Sequence, residues 1–329
     1  MRAQDKWRRH AERQPLEFID RQLFPHLVKI TREFAEFVNC KPTDVVLVPN
    51  ATTGLNAVLR SVPLKAGEAV FFFDCTYNSV KKMIRQRCED SGAEAVEVPL
   101  PLAALSSPQD ITDAVVEALP ARCALAVFDH VTSNSALLLP VGELVRVCQA
   151  RGALVLIDGA HGLGACDLDV GALGAEYYVG NCHKWFCAPR GAGFLHVDHE
   201  RLSAVTPPEE ASKARVVPVT SCSEVACERV GSITLLQWGA VHAPLISHGH
   251  QQGFASEFIW DGARDYSPLL ALEQALAFWR AFSLPRARGF HCLPARPWAR
   301  PWARRCSAAR ANERLTRAVG ALQSTRRAR

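Results

Sequence analysis

The sequence predicts an α/β fold: an open, mostly parallel sheet covered by helices. Three observations predict it. Short apolar runs rich in Val, Leu, Ile and Phe recur between residues 45 and 197, separated by stretches of helical length and pattern. The runs read as strands buried between covering helices, the setting in which parallel sheets occur. The residues able to do chemistry fall just after those runs, at the carboxyl ends of the strands, where open α/β sheets bind their ligands.

Composition sets the bounds. The chain has 329 residues, 48% hydrophobic and 22% charged, enough for one large domain and a smaller piece. Its net charge of +5 is unevenly placed. From Ser283 onward there are twelve arginines and one acid, Glu313, so that end holds +11 and the other residues −6. A mildly acidic body makes overall basicity uninformative about a ligand. Twelve dispersed cysteines form no CxxC pair, which argues against a zinc ribbon, a thioredoxin motif or any metal centre. They point to reduced thiols and a cytoplasmic location. No apolar run approaches the ~20 residues of a membrane span. The N-terminus lacks the apolar core of a signal peptide.

Residues 2–38 carry an apolar stripe at helical spacing, Phe18, Leu23, Leu27, Ile30, Phe34 and Phe37, interrupted near Pro15 and Pro25. A first strand, Val45-Val46-Leu47-Val48, runs into Asn50-Ala51-Thr52-Thr53-Gly54 and a helix. Small and hydroxyl residues there offer N–H groups and hydroxyls at a positive helix end, so a phosphate could sit on Ala51, Thr52 and Thr53. A plain N-cap by Asn50 or Thr52 is the competing reading. The next strand, residues 69–74, leads to Tyr77, an aromatic able to stack on a planar ligand. Strands follow at 94–98 and 124–130, then a polar loop containing Asn134, a helix from 141 to 150, and the strand Ala153-Leu154-Val155-Leu156-Ile157-Asp158 with His161 just beyond. Tyr177-Tyr178-Val179 leads to Lys184, and residues 193–197 read as a return strand.

A lysine beyond one buried strand and an aspartate ending the strand before it suit pyridoxal 5′-phosphate (PLP). Lys184 would form a Schiff base, and Asp158 would keep the pyridine nitrogen protonated.

Four ordered motifs, two of them around Asp158 and Lys184, extend this reading. Asn50-Ala51-Thr52-Thr53-Gly54-Leu55-Asn56, Asp158-Gly159-Ala160-His161 and Gly180-Asn181-Cys182-His183-Lys184-Trp185, with residues 256–265, resemble the class V aminotransferase family, in its isopenicillin N epimerase-like branch beside the cysteine desulfurases. The resemblance implies a three-layer αβα fold of fold type I, a homodimer, and an amino acid as the small-molecule substrate. It implies Lys184 and Asp158 as catalytic residues. It places Tyr77 on the cofactor ring, Asn134 and His161 near the ring and its phenolic oxygen, and Ala51, Thr52, Asn181 and His183 on the phosphate.

The domain organisation expected is a helical segment at 1–44, a PLP-binding large domain at 45–206, an atypical insertion at 207–240, a continuation at 241–282 and an Arg-rich tail at 283–329. Against the family pattern, the segment before the second helix and the C-terminal small domain are missing, and Ala263 replaces a threonine that reaches the neighbouring subunit's phosphate. The reaction expected is epimerisation, elimination or transamination at an α-carbon. The alternatives are a catalytically impaired PLP-binding chain and a nucleic-acid-binding module built on the basic tail.

Overall fold

The computed structural model describes residues 1–100, 105–200, 241–245, 248–250 and 252–283. The expected insertion at 207–240 and the Arg-rich stretch from 284 onward lie outside the described residues.

The N-terminal helical segment is broken where its prolines fall. Helix α1 (Arg2–Ala11) is followed by α2 (Pro15–Glu17), a π-helical turn (Phe18–Leu23) and α3 (Phe24–Phe37). Pro15 and Pro25 each lie in the first turn of a helix, where a missing N–H costs no intrahelical bond.

Seven strands then form one sheet: β1 (Val45–Val48), β2 (Ala69–Phe73), β3 (Glu94–Val98), β4 (Cys123–Asp129), β5 (Leu154–Gly159), β6 (Tyr177–Asn181) and β7 (Gly193–Val197). Their order is β1-β7-β6-β5-β4-β2-β3. The pairs β2–β3, β2–β4, β4–β5 and β5–β6 are parallel. The return strand β7 is antiparallel to both β6 and β1. Six strands therefore run one way, and the ends of β1, β2, β4, β5 and β6 open on one edge.

Alternate residues of each strand feed two separate cores. Phe71, Phe73, Phe128, Ile157, Tyr178 and Phe194 face one layer, which includes α3, α6 (Pro108–Ala118) and α7 (Val141–Gln149). Val70, Phe72, Val127, Leu156, Val179 and Leu195 face the other, against α4 (Ala51–Ser61) and α5 (Asn78–Ser91). Each fully buried side chain of this size contributes about 1.5–3 kcal/mol by leaving water. The inner strands read as unbroken apolar runs because both faces are covered, whereas the edge strand β3 carries Glu94 and Glu97 and is only partly buried.

The short α8 (Val170–Leu173) precedes β6. Further along the chain come α9 (Phe254–Ile259), α10 (Ser267–Leu270) and α11 (Leu272–Ser283). Trp279 of α11 stacks on Phe186, with ring centroids 5.7 Å apart, and its indole N–H donates to the Phe186 carbonyl at 2.9 Å. This fastens the last helix to the loop that follows β6. Among the described residues, no helix is long and apolar enough to cross a membrane.

Candidate functional site

The open edge collects the expected residues from five of its strands, β1, β2, β4, β5 and β6. Lys184 lies in a tight turn just past β6. The Cys187 N–H donates to the Lys184 carbonyl at 3.2 Å, the Ala188 N–H closes on the Cys182 carbonyl at 2.9 Å, and Cys187 takes φ +62°. A left-handed residue that is not glycine stores strain of order 1–3 kcal/mol, a device found at working turns. Lys184 Nζ is 3.0 Å from His161 Nε2, and Trp185 Nε1 donates to His161 Nδ1 at 3.1 Å. Lys184 is exposed as a whole residue, and the partial burial of its amine lowers its pKa, against the pull of the Asp158 and Asp129 charges. His161 is lowered by burial and then by the neighbouring lysine.

Asp158 is buried, and its Oδ1 accepts the Ala160 N–H at 3.0 Å. Its register partner on β4 is a second buried acid, Asp129. Burial pushes both carboxyls up, and the Asp158 charge helps to bring Asp129 to about 8. Asp158 has the Ala160 N–H and the lysine to support its charge; the Thr76 hydroxyl and the Tyr77 N–H support that of Asp129, but burial and then the Asp158 charge outweigh them. Asp129 is therefore the member that keeps a proton near neutrality.

At the start of α4, Asn50 is the N-cap. Its Oδ1 accepts from the Thr53 N–H at 2.9 Å and the Thr53 hydroxyl at 3.2 Å. Asn181, buried at the end of β6, accepts the Ala51 N–H at 2.9 Å and ties β6 to this helix. Two of the three N–H groups expected to meet an anion are thus engaged within the protein. Thr52 is exposed, and no partner among the described residues takes its N–H or hydroxyl. Asn181 keeps its Nδ2. His183 donates from Nδ1 to the Ala192 carbonyl at 2.8 Å, which leaves Nε2 available. Tyr77 forms the N-cap position of α5 and is half exposed. Asn134 is exposed in the loop after β4, whose shape is held by a 2.6 Å contact between the Thr132 and Ser135 hydroxyls.

Behind this edge, His130 Nδ1 lies 2.8 Å from the buried Tyr178 hydroxyl. Gly162 leaves the room: a Cβ there would come within 2.3 Å of that hydroxyl. Burial brings His130 down to about 4, so it is a neutral packing partner. Two residues of the edge escape a reading of the sequence, Asp129 and Trp185. Asp129 had a visible signal, since it is an acid that closes an apolar run as Asp158 does. Trp185 had none, because its contact with His161 spans 24 residues.

Comparison with known proteins bears on the family and the fold. The family description Aminotransferase class-V matches residues 21–228. An L-cysteine desulfhydrase of Arabidopsis thaliana is 32% identical over 297 residues, 86% of this chain and 58% of its own. An isopenicillin N epimerase of Amycolatopsis lactamdurans is 33% identical over 59% of this chain and 50% of its own. The chain spans little more than half the length of these curated relatives. Among solved structures, a cystine C–S lyase in complex with cysteine persulfide superposes with TM-score 0.66 at 20% identity, covering 85% of this chain and 68% of its own. The Escherichia coli cysteine desulfurase follows with TM-score 0.57 at 16% identity, covering 79% and 58%. These likenesses show the fold, the three-layer fold type I architecture. With its family matched over more than half its length, this chain belongs to the class V aminotransferases.

Proposed function

We propose that this chain binds PLP and moves a proton at the α-carbon of an amino acid, in lyase, epimerase or aminotransferase chemistry. The observation that carries the reading is the meeting of Lys184, with its lowered pKa, and the buried Asp158 on one sheet edge.

The residues present fit the cofactor. Five buried side-chain polar atoms lack a partner among the described residues, and three of them, Thr76 Oγ1, Asp129 Oδ2 and Ser133 Oγ, follow or end strands on this edge. Thr76 faces Asp129 and supports its carboxyl, yet three such atoms gathered on one edge favour a polar ligand. Lys184 would hold PLP covalently and Asp158 would pair with its ring nitrogen. Tyr77, Asn134 and His161 would border the ring. Thr52, Asn181 Nδ2 and His183 Nε2 would receive the phosphate, with Ala51 and Thr53 shaping the helix start beneath it. Bound there, PLP supplies a sink for the electron pair left when a bond at the α-carbon breaks.

The protein's own groups supply the rest. Lys184, lowered by burial, is more readily the free amine that accepts the α-proton and returns it. The charge on Asp158 is supported by the Ala160 N–H. Desulfuration ranks below elimination or epimerisation. A thiol nucleophile works as the thiolate, yet burial raises both thiols beside Lys184, Cys182 and Cys187. The names of the relatives, desulfhydrases and epimerases, support the same ranking. The eight described cysteines are all free, which suits a reducing, cytoplasmic compartment, and a homodimer is the assembly we propose.

A second reading, cofactor binding without turnover, is favoured by one position. Ala263 is exposed where the family resemblance expects a phosphate-binding hydroxyl, a loss of about 1.5–3 kcal/mol for a bond to a charged partner. Absorbance separates the readings. Protein incubated with PLP should show a visible band that Lys184→Ala abolishes and that L-cysteine perturbs with release of sulfide. A colourless protein refutes both readings. A band that no amino acid perturbs leaves the second.

A further inference from the structure

His161 is held from both ring nitrogens. Trp185 Nε1 donates to Nδ1 at 3.1 Å, and Lys184 Nζ stands 3.0 Å from Nε2. An indole nitrogen is a donor only. Nδ1 must therefore offer its lone pair to Trp185, which puts the ring proton on Nε2. A neutral imidazole in that tautomer donates from Nε2, and the partner facing it is Lys184 Nζ. An ammonium group has three donors and no lone pair, so it cannot accept that bond; a free amine can. Both contacts are satisfied together only by the Nε2–H form of His161 and the neutral form of Lys184.

We propose that Trp185 is a positioning residue which, by fixing the tautomer of His161, holds Lys184 as a free amine. This deepens the reading of the same site and rests on it for its meaning in catalysis, although the hydrogen-bond logic needs no cofactor. Packing alone does not account for Trp185, because 55% of it is exposed. The backbone is arranged for the contact. Gly164 takes φ +82°, and a Cβ there would lie 2.9 Å from the Trp185 carbonyl and the Phe186 nitrogen, so the turn carrying His161 presses directly on the Lys184–Trp185 loop.

The groups acting on Lys184 pull in two directions. The charges of Asp158 and Asp129 favour the ammonium, and burial favours the amine. The Trp185–His161 pair adds to the second side. It does so without placing a positive charge on the ring, because a doubly protonated His161 would set an N–H against the indole N–H.

The test uses the full chain without PLP. Long-range proton–nitrogen correlation on histidine-labelled protein should show His161 as the Nε2–H tautomer. Trp185→Phe should give a mixture that includes the Nδ1–H form. The rate at which Lys184 reacts with an amine-selective acylating reagent at neutral pH should fall roughly three- to tenfold, the range expected for one hydrogen bond. In a His161→Ala background, Trp185→Phe should leave that rate unchanged. An Nδ1–H tautomer in the unaltered protein overturns the proposal, and this needs no variant to fold. A rate loss that persists without His161 also overturns it. Failure of the PLP reading would appear separately, as the absence of a visible band.

Discussion

Asp129 and Asp158 stand side by side on β4 and β5, both buried, and cannot both be charged cheaply. The sign of the consequence can be worked out. A carboxyl raised to about 8 binds more proton in the folded than in the unfolded chain between about pH 4 and about pH 8. Its contribution to stability is therefore present at low pH and is lost as pH rises through that window. Asp129→Asn removes the titration, so the urea midpoint of the variant should fall less than that of the unaltered protein between about pH 5 and about pH 8. The difference should be on the order of 1–3 kcal/mol. An identical pH slope in the two proteins would show that Asp129 keeps no proton. At this scale the sequence showed Lys184, Asp158 and His161 because each follows a recognisable strand. It also offered the Asn50 cap that takes the Thr53 N–H, but not the Asn181 oxygen on the Ala51 N–H, since that contact joins residues 130 positions apart. The tautomer of His161 was hidden for the same reason.

At the level of elements, α4 lies on the sheet where a glycine permits it. A Cβ on Gly54 would come 2.8 Å from Val179 Cγ1. Gly54→Ala should destabilise the protein by about 1–3 kcal/mol through overpacking, and Val179→Ala should recover part of that cost in the double variant. Additive losses in denaturant melts would mean that the two side chains do not meet. The strands themselves were legible: burial on both faces makes them continuous apolar runs, and the predicted ends lie within two residues of those observed. Their lateral order was not legible. The insertion of β7 between β1 and β6 is decided by pairing across 150 residues of chain, as in Val45 with His196, and no local signal reports it. The π-helical turn before Pro25 was equally silent, because its mixed apolar and charged residues, Phe18 to Leu23, read as amphipathic in either helix type.

For the whole molecule, one sheet separates two cores, and the chemistry sits at the edge where both layers end. The N-terminal helices and α11 close one layer, joined through Phe34, Phe186 and Trp279 directly beneath the loop of Lys184. This placement makes the lysine loop a part of the core on one side and of the ligand edge on the other. The central claim, that Lys184 holds PLP, is tested most directly by chemical trapping. Protein incubated with PLP, reduced with borohydride, digested and analysed by mass spectrometry should carry the phosphopyridoxyl group on the peptide containing Lys184. An unmodified Lys184 peptide, with the label elsewhere or absent, would contradict the account.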